Sequence, residues 1–311
     1  MKKEVEKIVL IACCEYGYDI YSRLLSEKKI KINKIISLLP SQAKQYNVSG
    51  YFNYQEFAKK YNIEVYYPET YSLKAQKDFN FFKENNFDLM LMGGWQRLIP
   101  NNILETLKIG ALGFHGSSNP LPKGKGRSPI NWSLIQGEKR FLLHLFLLDS
   151  GVDSGDVIDV LEFDILDYDD CRTLYYKVAI CGRKLISKNI HSILEGSFKS
   201  IPQLGESSYY PKRKPEDGLI NWNLNVFKIY NLIRGITRPY PGAFSYINGL
   251  KFTIWRAVPF DTKINYLTQN IGEVVEIFSK KNILIKCKDG LLLVNESEGP
   301  ELRTGDILKS T

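Results

Sequence analysis

The sequence predicts an α/β fold: a Rossmann-like, mostly parallel sheet over residues 1–203, followed by a small OB-like β-barrel over residues 204–311. Three observations carry this. Through the first two-thirds, apolar runs of strand length alternate with stretches of helical periodicity, the pattern of strands joined by right-handed crossover helices. A connector rich in Pro, Ser and charge, IPQLGESSYYPKRKPEDG, then breaks the pattern. Beyond it come short strand-like runs at close spacing, as in a small barrel.

In chain order, EKIVLIAC (residues 6–13) is a buried strand by its continuous apolar content, and the following stretch through Tyr21, Leu24 and Leu25 is helical. INKIISLL is a second strand, YQEFAKKYNI a short helix, VYYP a short strand, LKAQKDFNFFKENN a helix and FDLMLMGG another strand. Two further strands flank the Gly-rich stretch after His115. Residues 165–200 begin with Asp caps, carry apolar residues at helical spacing and reach Gly196, which predicts a long closing helix. After the connector, VFKIYNLIRGI is a short helix, and FSYING, KFTIWRAV, IGEVVEIF, NILIKCK and GLLLVN are strands, with Asn248 and Gly249 turning between the first two.

Composition bounds the function. Charged residues are 24% and hydrophobic ones 44%, ordinary for a water-soluble chain, and no apolar run is long enough for a membrane span. The amino-terminal apolar run is short and merges into a strand, so the expected location is cytoplasmic, with no membrane partner. The formal charge of +8 is compatible with nucleic acid or an anionic small substrate, and the lysines are scattered. Cys13, Cys14, Cys171, Cys181 and Cys287 are odd in number and lack metal-ligand spacing, so no metal site is expected and the thiols read as reduced and structural. A nicotinamide dehydrogenase is the obvious competitor for such a fold. It needs a glycine-rich phosphate turn after the first strand, and CCEYGYD has one glycine and a Glu where an anion would sit.

The candidate chemistry lies between residues 109 and 157. An apolar run ends at His115, a loop of Gly, Ser, Pro and Lys follows, and a second apolar run stops at a turn holding Asp149, Asp153 and Asp156. An imidazole beside a carboxylate accepts and returns protons near neutral pH, and the carboxylate fixes the tautomer. Of the other histidines, His144 sits in the strand-like FLLHLFLL and reads as a satisfied core residue, and His191 reads as a bystander on the long helix.

FHGSSNPLPKGKGRSP followed by LLDSGVDSGDVI resembles the folate-dependent formyltransferase superfamily, whose shared pattern is Asn-x-His, a Pro- and Gly-rich loop, then Asp-x-Gly-x-Asp-x-Gly. The resemblance implies catalytic roles for His115 and Asp153, and a place beside the folate for Asp149 and Gly151 of the second motif. GGWQRLIP resembles the segment bordering the pterin, which implies contacts from Gln96, Arg97 and Ile99, with Trp95 as a hydrophobic plug. The implied formyl donor is 10-formyltetrahydrofolate. One departure stands out: the family's Asn, two residues before the His, is here Gly113, and the loop is about two residues longer. A preorganised oxyanion donor is typically worth about a hundredfold in rate. Asn119, Asn131 and backbone N–H groups are the candidate replacements, with Asn119 preferred.

The segments RKPEDGLINW and TRPYPGAFSYINGLKFTIWRA resemble the carboxyl-terminal part of sugar-nucleotide formyltransferases, so the resemblance covers nearly the whole chain. It implies a nucleotide-linked amino sugar as acceptor, with a 4-amino-4,6-dideoxyhexose the family's common type. Methionyl-tRNA formyltransferases share the two-domain plan but carry a basic loop after the second strand. Here that place reads LLPSQAKQYNVSGYF, one lysine and no arginine, and a tRNA binder needs clustered cations, so nucleic acid is not favoured as partner. Arg213, with Lys212 and Lys214, is the expected diphosphate contact, and Tyr209, Tyr210 or Trp222 the base contact. The alternatives are a methionyl-tRNA formyltransferase, a non-catalytic folate or nucleotide binder, and a single-strand nucleic-acid binder. The sequence leaves a homodimer open.

Overall fold

The computed structural model describes residues 7–264, 266–267, 269–279 and 281–310. The chain divides into two compact units: Met1–Gly126, Arg140–Phe163 and Tyr175–Tyr209 form the first, and Arg127–Lys139, Asp164–Leu174 and Tyr210–Thr311 the second. The single cut expected at 203 is thus replaced by an interleaved division, in which two segments from the middle of the chain join the carboxyl-terminal strands.

The first part of the chain runs β1 (Ile8–Ala12), α1 (Glu15–Ser26), β2 (Lys34–Ile36), α2 (Pro40–Gln45), α3 (Gln55–Lys60), β3 (Glu64–Tyr66), α4 (Gln76–Asn85), β4 (Leu89–Gly93), α5 (Asn101–Leu104) and β5 (Gly110–Ser117). Then come β6 (Lys125–Gly126), α6 (Pro129–Gln136), β7 (Arg140–Leu147), β8 (Val157–Asp164), α7 (Cys171–Glu195) and β9 (Tyr209–Tyr210). Seven strands form one sheet in the order β3-β2-β1-β4-β5-β7-β8. The pairs from β3 through β5 are parallel, as the alternation predicts. β7 runs antiparallel to β5. All five residues of β1 are buried, as expected of a central parallel strand covered on both faces.

α1 packs closely on the end of β4. A Cβ on Gly17 would lie 2.2 Å from the carbonyl oxygen of Gly93, so the lone glycine of the first turn serves helix-to-strand packing. No glycine cradle for a pyrophosphate accompanies it. α2 lies in a segment read from the sequence as loop; Pro40 opens it, and the Gln42 side chain accepts from the Leu39 N–H at 2.9 Å.

The second unit carries a 3-10 turn at Pro215–Gly218, α8 (Val226–Ile236), β10 (Ala243–Ile247), β11 (Leu250–Asp261), β12 (Val274–Ile277), β13 (Ile283–Lys286) and β14 (Leu291–Glu298). Its sheet is antiparallel, in the order β10-β11-β14-β13-β12. Residues 305–309 bind both outer strands: Tyr246 and Lys309 exchange N–H···O bonds of 3.0 and 2.8 Å, and Val274 donates to Asp306 O at 2.8 Å. The strand faces close over Ile220, Trp222, Ile229, Ile233, Ile254 and Leu292, all buried.

Candidate functional site

His115 lies inside β5, opposite His144 of β7, rather than just beyond a strand end. The strand continues because Gly116 and Ser117 pair with Leu143 and Leu142. The imidazole is 6% exposed; its Nδ1 stands 3.3 Å from Asp153 Oδ2, and its Nε2 stands 2.8 Å from the Gly124 carbonyl oxygen. Both ring nitrogens face oxygens that only accept, so a neutral ring donates to one of them and a proton gained by the ring satisfies the other. The same Asp153 oxygen accepts from the Gly126 N–H at 3.0 Å.

The turn that delivers Asp153 is held tightly. Asp153 has φ +51°, a left-handed conformation that costs a non-glycine residue about 1 kcal/mol. The Gln203 amide nitrogen offsets this by donating to Asp153 O at 2.9 Å and Gly155 O at 2.7 Å. A Cβ on Gly155 would sit 1.7 Å from Leu147 O, which explains the last glycine of the motif. Asp149 Oδ1 accepts from Gly151 N at 3.0 Å and Ser154 Oγ at 2.6 Å. Asp149 and Gly151, two of the five residues that the sequence assigned to the folate, therefore build the turn.

His144 is the satisfied core residue that the sequence predicts, 2% exposed. Its Nδ1 lies 3.1 Å from His115 O, so it donates there, and its Nε2 accepts from Leu121 N at 3.3 Å. It ties the His115 strand to the following loop. Burial lowers its pKa to about 4, which keeps the ring neutral and able to do both.

The place of the family's Asn is filled. A Cβ on Gly113 would lie 2.8 Å from Leu148 Cδ2 and 3.4 Å from Phe146 Cε1. Asn119 is exposed, and its backbone N–H donates to Ser117 Oγ at 3.2 Å. Asn131 is corrected from candidate donor to structural residue: it belongs to the second unit, is 1% exposed, and its Nδ2 donates to Gly235 O at 2.6 Å. Lys125, which sequence reasoning did not single out, is 4% exposed. It sits between the glycine whose carbonyl holds His115 and the glycine whose N–H holds Asp153.

After β4, Gln96 N–H donates to the Tyr71 hydroxyl at 3.0 Å, and its amide nitrogen donates to Ser49 O at 3.0 Å. The Arg97 guanidinium lies 4.5 Å over the Tyr71 ring and is exposed. Ile99 is 5% exposed and packs in the core, so its side chain is wall material and the backbone is what it can offer a ligand. Trp95 is buried edge-on to Tyr71, as a plug, with its Nε1 unpartnered. Cys13 donates to Gly94 O at 3.0 Å; its bond to Cys14 and its burial push its pKa up, keeping it a thiol.

Trp222 is corrected from base contact to core. It is 3% exposed, and its Nε1 donates to Ser245 Oγ at 3.0 Å, which leaves no ring face for a ligand. Tyr209 is exposed. Arg213 stands 5.1 Å over the Trp132 ring, and Trp132 stacks on Tyr210 at 5.8 Å and 8°. Trp132 was missed because it lies far from Arg213 in sequence; it joins the second unit only through the interleaved helix α6. Among the described residues no cluster of His, Cys, Asp and Glu could hold a metal ion, and no helix is long and apolar enough to cross a membrane.

A formyl transferase family model matches residues 17–190, and a formyl transferase carboxyl-terminal domain model matches residues 212–308. The chain is 30% identical over 283 residues to the bifunctional polymyxin resistance protein ArnA of Wigglesworthia glossinidia brevipalpis, covering 91% of this chain and 41% of that protein. It is 34% identical over 236 residues to a methionyl-tRNA formyltransferase of Thermodesulfovibrio yellowstonii, covering 74% of this chain and 73% of that one. Among solved structures, an N-formyltransferase of Helicobacter canadensis in complex with folinic acid and dTDP-3-aminofucose is similar with a TM-score of 0.65 at 20% identity, covering 93% of this chain and 99% of that one.

Proposed function

The chain belongs to the formyl transferase family, and from that premise we propose that it moves a formyl group from 10-formyltetrahydrofolate to the amine of a nucleotide-linked amino sugar. The observation that carries the transfer chemistry is the His115–Asp153 pair at 3.3 Å, each partner fixed by the backbone of one short strand. His115 takes up the proton that the amine loses on attack and offers a charged N–H to the developing oxygen charge. Asp153 balances that charge and holds the ring. Holding both substrates in contact contributes further acceleration by removing a bimolecular encounter.

The residues after β4 fit a folate. Gln96 and Arg97 offer polar contacts, Trp95 Nε1 is an unpartnered buried donor beside them, and Ile99 and Tyr71 supply apolar walls. A bound folate supplies the formyl carbon. Asp149 and Gly151 are the proposed contacts on the opposite motif.

For the acceptor, the segment over residues 38–52 speaks against tRNA: α2 occupies it, Tyr51 closes it by donating to Leu38 O at 2.9 Å, and Lys44 is its one cation. Arg213, half-buried against Trp132, suits a diphosphate, and Tyr209 and Tyr210 suit a base. The carboxyl-terminal sheet is read as an OB-like barrel, and the protein as cytoplasmic. The relatives named methionyl-tRNA formyltransferase sustain a second reading, that the acceptor is charged initiator tRNA. The test is tetrahydrofolate release, followed optically, with a panel of dTDP-, UDP- and GDP-linked amino sugars and charged initiator tRNA in parallel. Turnover with a sugar nucleotide alone is expected; turnover with tRNA alone would replace this reading by the second.

A further inference from the structure

Resting on the formyl-transfer reading, we propose that Lys125 is a catalytic residue, its ammonium donating to the carbonyl oxygen of the formyl group as negative charge develops there. The family's neutral Asn donor would then be replaced by a cation from the other side of His115.

Three observations support it. First, the Asn position is closed: Gly113 has no side chain, and Leu148 and Phe146 occupy the space a Cβ would need. Second, the two asparagines available by sequence are poor substitutes, since Asn119 is exposed and Asn131 is tied to Gly235 O. Third, Lys125 is 4% exposed, and its ammonium has neither an ion pair nor a hydrogen bond among the described residues. That nitrogen is not among the side-chain atoms sealed from solvent without a partner, so the stem is covered while the tip still reaches open space. A cation so placed is available to an oxygen of a bound molecule. Its neighbours in sequence indicate which one: Gly124 O holds His115 Nε2 at 2.8 Å, and Gly126 N–H holds Asp153 Oδ2 at 3.0 Å, so the lysine is carried by the strand that fixes both reacting-centre side chains.

The step balances without a further reactant. The amine lone pair forms a C–N bond to the formyl carbon, and the carbonyl π pair moves to oxygen, where Lys125 donates a hydrogen bond without giving up its proton. The amine proton passes to the His115–Asp153 pair. The oxygen lone pair re-forms the carbonyl as the bond to the folate nitrogen breaks, and that nitrogen leaves with the electron pair and takes a proton. A second cation beside the centre also keeps the incoming amine in its neutral, nucleophilic form.

Lys125→Met and Lys125→Arg, each checked by circular dichroism, test the proposal. The expected result is a loss of about a hundredfold or more in single-turnover formyl transfer for Lys125→Met. Its dissociation constant for 10-formyltetrahydrofolate stays within about threefold of wild type, and its melting temperature stays close to wild type because the ammonium has no hydrogen bond or ion pair to lose among the described residues. Lys125→Arg recovers part of the rate. Transfer by Lys125→Met within about threefold of wild type overturns the proposal, as does a rate loss matched by a fall in melting temperature and shared by Lys125→Arg. Donor hydrolysis with water in place of the amine reads the same step without an acceptor. Hydrolysis by wild type that Lys125→Met loses, with every acceptor silent, upholds Lys125 and removes the proposed acceptor; no hydrolysis and no transfer by wild type removes both.

Discussion

Replacing Asp153 by Asn keeps the size of the side chain and an oxygen to accept from Gly126 N–H, while removing the charge that faces His115. Two unit charges 3.3 Å apart interact by about 5 kcal/mol at an effective dielectric constant of about 20. The resting ring already enjoys some of this, so only the part that grows as the ring becomes fully charged counts toward rate. Half of it, about 2.5 kcal/mol, corresponds to nearly a hundredfold. Asp153→Asn is therefore expected to cut kcat for tetrahydrofolate release by about a hundredfold, with KM for the folate nearly unchanged, because the loss is confined to the transition state. The assay is optical release of tetrahydrofolate with the best acceptor of the panel, beside a far-ultraviolet circular dichroism spectrum. A folded Asp153→Asn protein turning over within about threefold of wild type would refute the assignment of the pair.

Four other outcomes are expected. The folded pKa of His144, about 4, lies below the ordinary 6.5, so the unfolded chain binds the proton first as pH falls; stability is highest above pH 6.5 and drops by about 3 kcal/mol on the way to pH 4, and urea melts of His144→Gln against wild type should lack that contribution. Gly155→Ala forces its Cβ toward Leu147 O, 1.7 Å away, and should cost about 3 kcal/mol or more, read as a melting temperature lower by roughly 5–10 °C. Gly113→Asn should destabilise without raising turnover, since Leu148 already fills the site; a gain in kcat would contradict the packing argument. Arg213→Ala should raise KM for the sugar nucleotide about tenfold and leave folate affinity alone, measured by steady-state kinetics.

The sheet was legible because parallel strands buried on both faces are continuous apolar runs, and ILMG-type stretches such as Ile8–Ala12 and Leu89–Gly93 have no competing reading. The pairing of His115 with Asp153 was legible through the two motifs, whose glycines mark backbone that must pass close to Leu147 O and Ser154 Oγ. His144 was legible as a satisfied core residue, but its partners were not. An alternating strand pattern says that a residue points inward, and it cannot say that a neutral ring bridges a strand carbonyl to a loop N–H. Trp222 was misjudged: an aromatic beside a charged connector looks like a ligand platform, but its indole N–H had a hydroxyl, Ser245, waiting in the interior. Lys125 and Trp132 escaped notice because a lysine between glycines reads as solvated, and because nothing local to α6 says that its helix joins strands far along the chain. The interleaving of the two units was illegible for the same reason, since composition marks where a connector is and not which earlier segments the later strands recruit.

Residues 305–309 hydrogen-bond to Tyr246 on one outer strand and to Gly272 and Val274 at the other. Outer strands that find such partners within their own chain offer a neighbour fewer bare amides, and Leu219 and Ile220 cover β10 further along. Edge-to-edge pairing of two copies through this sheet is thereby disfavoured. The protection arrives late, however: a nascent chain that has already made β10 to β13 leaves those flanks bare until residues 305–309 have been made.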